Sequence, residues 1–147
     1  MRNRTKAREL AMQALFYLDI LKEDGESDTV KLDRFCIHHQ PDEKAIYDFF
    51  IMLVNGVLDN NTKIDSFIEG HSQHWKISRM SPVDRNVIRV SIYEMLYCNK
   101  TPVEVVINEA IEIGKKYGTD DSGGFINGVL DSIHMELDKK KSIDSPK

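Results

Sequence analysis

The stretch KAIYDFFIMLVNGVLDNN, residues 44–61, decides the fold class. Ile46, Phe49, Phe50, Leu53, Val54, Val57 and Leu58 recur three and four residues apart, the spacing of one face of an α-helix. No period of two runs through the segment, so a half-buried strand is excluded there. Asn60 and Asn61 mark its end as a turn. Pro41 suits a first helical turn, and Asp42 and Glu43 complement the positive end of the helix dipole.

The same period continues on both sides. Downstream, Ile64, Phe67, Ile68 and Trp75 form a further helical face. SPVDRNVIRVSIYEMLY, residues 81–97, carries a start signal: Ser81 to cap, Pro82 for the first helical position and Asp84 in the first turn. Its expected inner face is Val87, Ile88, Ser91, Ile92 and Met95. Pro102 opens another helix with Val103, Val106, Ile107, Ala110, Ile111, Gly114 and Tyr117 on one side. Gly114 within that face weakens the helix by about 1 kcal/mol relative to alanine, which points to a neighbouring helix at close range. Gly118 is a natural stop. The last helix carries Ile126, Val129, Leu130, Ile133 and Leu137. Upstream, Val30 to Cys36 reads as a short helix. Thr5 to Leu21 reads as a first helix with Leu10, Ala11, Ala14, Leu15 and Leu18 on its main face. Met12, Phe16 and Ile20 form a second stripe, open to two readings: a central core helix, or a Phe16 offered to a partner. The expectation is an all-α protein of six or seven helices in one domain, residues 1–147, with a basic N-terminal arm over 1–8 and a flexible tail over 138–147.

Composition narrows the function. The 147-residue chain is long enough for a full core without disulfides. Its two cysteines, Cys36 and Cys98, match no metal or redox spacing and read as reduced thiols. No apolar run approaches the roughly 20 residues of a membrane span, so a soluble, cytoplasmic protein is expected. His71 and His74 share a helix face, with His38 and His39 elsewhere. Yet there is no His-Glu-x-x-His, no Cys-His set and no phosphate-binding glycine loop. No catalytic residue, metal or cofactor is expected. The net charge of −4 argues against bulk nucleic-acid binding. Against that, Arg2, Arg4, Lys6 and Arg8 precede the first acid, Glu9. They are either a solvated terminus or a grip for phosphates.

The most informative joint is KKYGTDDSGGFINGVLDSI, residues 115–133. Asp121 or Ser122 can cap the last helix. Phe125 falls at the edge of the buried stripe and Asn127 outside it, both near free backbone N–H groups that favour anions. A half-exposed ring beside such donors suits an unstacked RNA base, and a core-rim ring is the other reading.

KARELAMQALFYLD, VDRNVIRVSIYEMLY, TPVEVVINEAIEIGKKYG and DDSGGFINGVLDSI together resemble the NusB family of transcription antitermination factors. The resemblance runs from Arg4 to about Ile133. It implies an all-helical domain of two packed bundles that binds boxA, a single-stranded leader sequence of ribosomal RNA transcripts. It also implies a partner, the ribosomal protein NusE, and loading onto an RNA polymerase antitermination complex, without catalysis. Carried over residue by residue, the RNA-binding set is Arg2, Arg4, Lys6, Arg8, Lys115, Lys116, Phe125 and Asn127. The NusE-facing set is Phe16, Asp84 and Asp121. Thr5 interrupts an arginine pair common in the family, and Gly124 stands where lysine is common. Fewer cations imply weaker, less salt-dependent RNA binding and greater reliance on NusE. The apolar second stripe also permits a homodimer. A helical protein–protein adaptor without specific RNA binding is the competing reading.

Overall fold

A computed structural model describes residues 2–22, 25–39, 41–72 and 76–144, with side chains described from residue 3 to residue 140. Trp75 and His74 lie outside the described residues, as do residues 145–147. Among the described residues seven α-helices follow one another: α1 Arg2–Ile20, α2 Asp28–His39, α3 Lys44–Asp59, α4 Asn61–His71, α5 Pro82–Tyr97, α6 Val103–Tyr117 and α7 Ser122–Asp144. A 3₁₀ turn, Ile77–Arg79, precedes α5. No strand occurs among the described residues.

Helix α5 is the hub, packed against α1, α3, α4, α6 and α7. Helices α1, α2 and α3 gather on one side of it, and α4, α6 and α7 on the other. Each contributes the stripe that its spacing dictates. Phe50, Leu53, Val54 and Val57 of α3 are buried with Leu10, Ala14 and Leu15 of α1, and Ile126, Val129, Leu130 and Ile133 of α7 complete the core. Ser81 accepts a hydrogen bond from the Asp84 N–H at 3.1 Å, and Pro82 is the first residue of α5, as the start signal required. At Gly114 a side-chain Cβ would collide with the end of Ile126, so the glycine lets α6 and α7 approach closely. Gly118 ends α6, its N–H bonded to the Gly114 carbonyl at 2.8 Å.

Several boundaries differ from the sequence expectation. Residues 2–8, read as an arm, form the first two turns of α1. Residues 138–144, read as tail, continue α7. Lysines near a helix C-terminus suit the dipole and do not oppose that extension. Pro41 stays outside α3, because Glu43 is still extended at φ −94°, ψ 129°. Pro102 precedes α6 rather than opening it. In the last turn of α5 it is Glu94 that is fully buried, while Met95 is only half-buried.

Candidate nucleic-acid and partner interface

Helix α1 runs antiparallel to α5, since Arg8 meets Glu94 while Asp19 meets Asn86. It runs in the same sense as α6, since Thr5 and Arg8 meet Glu109 while Glu9 meets Lys116. This frame sorts the sequence-predicted residues.

Arg8 is a correction. It is 5 % exposed. Its Nε and one terminal nitrogen grip both oxygens of Glu94 at 2.8 and 2.7 Å, and the other terminal nitrogen reaches Glu109 at 2.7 Å. Burial pulls the guanidinium pKa down. The hydrogen bonds and charges of Glu94 and Glu109 outweigh that, and the net shift is upward. Arg8 is therefore locked as a cation inside the α1–α5–α6 junction and has no face for a phosphate. Thr5, which breaks the arginine run, also donates to Glu109, at 2.5 Å.

Arg4 and Lys6 are exposed. Arg4 lies with its guanidinium carbon 4.6 Å from the centre of the Phe49 ring, a cation–π contact, and one terminal nitrogen donates a long hydrogen bond to the Thr101 hydroxyl at 3.5 Å. Helix α1 begins at Arg2, whose side chain lies outside the described residues. Lys115 is exposed, with its stem across Gly123 and a surface pair to Glu112 at 3.8 Å. Lys116 is also exposed, but its ammonium meets Glu9 at 2.7 Å, and this hydrogen bond and charge raise its pKa. Lys116 is thus partly neutralised.

The joint between α6 and α7 assembles the second group. Ser122 is buried and accepts from the Thr119 N–H at 2.9 Å, while Thr119 Oγ1 accepts from the Asp121 N–H at 3.3 Å. The joint is stitched by these hydroxyls, and the exposed Asp121 carboxylate makes no hydrogen bond or ion pair among the described residues. Of the two capping candidates, Asp121 is free for a partner. Phe125 is half-buried and Asn127 exposed, so the ring is neither core nor fully solvated.

Asp84, Asp121 and Phe125 line one cavity of about 200 Å³ with Arg79, Met80 and Ser81. It lies where the starts of α5 and α7 meet. Asp84 Oδ1 is buried there without a hydrogen-bond partner among the described residues. Such an acceptor carries a desolvation cost that an incoming donor relieves. Arg79 and Met80 were missed by the sequence reading. Their position just before the Ser81–Pro82 start signal was the only available hint.

The second stripe of α1 is graded rather than uniform: Met12 is buried, Phe16 half-buried and Ile20 60 % exposed. Phe16 lies two turns beyond Glu9 on the same face of α1. Glu9 already meets Lys116 and Tyr117 in the last turn of α6, so Phe16 comes past the end of α6, on the side of the joint. The candidates thus form two groups. Arg4 and Lys6 stand at one end of α1, and Phe16, Lys115, Asp121 and Phe125 gather toward the other. Twelve residues of helix separate Arg4 from Phe16, about 18 Å.

Among the described residues no three His, Cys, Asp or Glu side chains converge as a metal site. His71 instead hydrogen-bonds Ser132 and Glu136 of α7, and His39 stacks on Phe35. No helix of the described residues is long and apolar enough to cross a membrane.

An all-helical scaffold in which Arg79, Asp84, Asp121 and the half-buried Phe125 ring line a small mixed-polarity cavity defines a macromolecule-binding module. The chain belongs to the NusB family: the family model matches residues 5–135. A transcription antitermination protein NusB of Desulfatibacillum aliphaticivorans is 47 % identical over 144 residues, 98 % of each chain. Two solved structures share the fold. T. maritima NusB is 36 % identical with a TM-score of 0.80, covering 97 % of both chains. A structure of antitermination factors NusB and NusE in complex with double-stranded RNA contains a chain 28 % identical, with a TM-score of 0.81, covering 92 % of this chain and 98 % of that one.

Proposed function

We propose that this protein is a transcription antitermination factor that binds boxA-type leader RNA of ribosomal RNA transcripts together with NusE. The pair then joins elongating RNA polymerase in the cytoplasm. The observation that carries this reading is the cavity at the starts of α5 and α7. There the acid that the resemblance named in one segment, Asp84, and the acid and ring that it named in another, Asp121 and Phe125, line one space. The solved assembly of antitermination factors NusB and NusE with double-stranded RNA supports NusE and RNA as the classes of partner.

The mechanism is recognition without chemistry. Phe125 offers a ring edge for an unstacked base, and Asn127 and the nearby backbone offer donors and acceptors. Arg4, Lys6 and Lys115 supply phosphate contacts. The side chains of Asp84 and Asp121 face a basic partner, and their charge also rejects wrong ones. Phe16 contributes an apolar contact at the same end of α1.

The test is fluorescence anisotropy of a boxA RNA beside a scrambled RNA of equal composition, with and without NusE, at two salt concentrations. Preference for boxA that NusE strengthens is expected. Equal binding of both RNAs with NusE present would overturn the reading and leave a helical adaptor. Binding by the isolated protein as tight as by the NusE pair would refute its reliance on NusE.

A further inference from the structure

We infer that the outer edge of α4 is a second contact strip for single-stranded RNA, taking nucleotides that flank those held at the α6–α7 joint. The strip alternates rings and cations. Tyr97, at the end of α5, is 43 % exposed. Its hydroxyl donates to Asn60 Oδ1 at 3.1 Å and accepts from Lys63 Nζ at 3.4 Å, so the ring is held in place from the α3–α4 turn. Tyr93 lies beside it, ring centres 5.1 Å apart. One turn along α4 from Lys63 stands Phe67, half-buried, with Lys140 Nζ of α7 6.0 Å from its ring centre. One turn further, His71 bridges to α7 through Ser132 at 2.7 Å and Glu136 at 3.1 Å. From Lys63 to His71 the strip covers about 12 Å of helix.

Two open hollows follow this edge and share His71 and Glu136. One, of about 450 Å³, is lined by Lys63 and Phe67, and the other, of about 470 Å³, by Asp131, Met135 and Lys139. Lys63, Lys139 and Lys140 are all exposed, in a chain whose net charge is −4. Of the two acids along the hollows, Glu136 is engaged by His71, and Asp131 stands at the far border. Cations that track a backbone and rings that accept any base are the pairing that sequence-tolerant single-strand binders use. An acidic protein partner would use the lysines and leave the fixed Tyr97 ring without a role.

The strip is continuous with the joint. Phe125, Ser132, Glu136 and Lys139 fall within about 60° on one face of α7. Phe125 lines the joint cavity and Glu136 both hollows, about 16 Å apart along the helix. An RNA leaving Phe125 along that face arrives at Lys139 and the α4 edge. The inference therefore rests on the joint holding RNA.

The experiment measures, with NusE present, binding of a minimal boxA RNA, of the same RNA with about ten further nucleotides on each side, and of a scrambled RNA of the longer length. The proteins are the full chain, Lys63→Gln with Lys140→Gln, and Tyr97→Leu, each checked for unchanged thermal unfolding. The full chain should bind the longer boxA RNA about fivefold or more tightly than the minimal one. The double lysine variant should lose that gain, with a salt slope shallower by about 1.4, and bind the minimal RNA unchanged. Tyr97→Leu should lose about fivefold on the longer RNA alone. Equal affinity of the full chain for long and minimal RNA would overturn the strip, as would variants that weaken both equally. Long boxA and scrambled RNAs that bind alike, each weakened by the variants, would uphold the strip and refute leader recognition. Absence of binding to any RNA would overturn both.

Discussion

Replacing Arg8 separates a structural cation from an RNA-binding one. The guanidinium is 5 % exposed and makes two short bonds to Glu94, which is fully buried, and a third to Glu109. Arg8→Met keeps the stem's apolar cover and leaves the Glu94 carboxylate buried without its partner. Breaking a buried pair from one side costs about 3–5 kcal/mol, because the remaining charge is uncompensated. For a domain of this size that is a fall of about 6–20 °C in Tm. Arg8→Met combined with Glu94→Met removes both charges, and it should recover most of the loss, since an apolar pair of similar volume commonly matches an ion pair. Urea unfolding of the two single variants and the double variant closes the cycle and yields the coupling. The RNA assay is the counterpart: the double variant, once folded, should keep the salt slope of the parent. A phosphate-binding arginine would instead lower the slope by about 0.7. An Arg8→Met variant of parental stability with a reduced slope would refute the burial argument.

Three further outcomes are expected. Phe125→Leu should keep the helical circular dichroism and the Tm within a few degrees while weakening boxA binding about fivefold or more, and equal loss of fold and binding would make the ring a core residue. Gly114→Ala gains about 1 kcal/mol of helix propensity. It also drives a Cβ into Ile126, and overpacking of about 1–3 kcal/mol should leave a net loss in urea unfolding. Asp84→Ala retains the Ser81 cap and should slow NusE association in a salt-dependent way, read by surface capture at two ionic strengths, while RNA binding by the isolated protein becomes modestly tighter at low salt.

The helices were legible because burial imposes a period, and each stripe from Ile46 to Leu58 or from Ile126 to Ile133 satisfies it. Ser81–Pro82 and Gly114 were legible because their chemistry has few other uses. The fate of Arg8 was not. Arg4 and Arg8 are one turn apart in the same basic run, and only the partner 86 residues away distinguishes them. A signal existed: Glu94 lies two turns from Val87 on the inner face of α5, and a carboxylate at such an angle calls for a buried cation. The same logic applies to Asp19, half-buried on α1, which holds Arg85, Asn86 and Arg89. The joint was legible as a polar helix break from its composition. The union of Asp84 with Phe125 was not, because it depends on how the starts of α5 and α7 meet.

These buried pairs bear on why two proteins would share one RNA task. Arg8, Arg85 and Arg89 are committed to Glu94, Glu109, Asp19 and Asp65, bolting α5 to its neighbours. Lys116 is given to Glu9. Of the cations near the proposed RNA sites, Arg4, Lys6, Lys115 and the α4-edge lysines stay available, spread over separate patches rather than one groove. Each phosphate neutralised by a single exposed lysine adds little affinity once salt screens it. A scattered set of this kind gives weak binding that is nonetheless directional, because the rings at Phe125 and Tyr97 fix where bases can rest. Unpaired acids at the joint weaken RNA binding further when the protein is alone. They gain a purpose when a basic partner covers them, since neutralising Asp84 and Asp121 removes repulsion from the same edge that offers Phe125. On this argument NusE strengthens RNA binding in two ways, by its own contacts and by quenching two charges. The second contribution should shrink as salt is raised, while the first that is not ionic should persist.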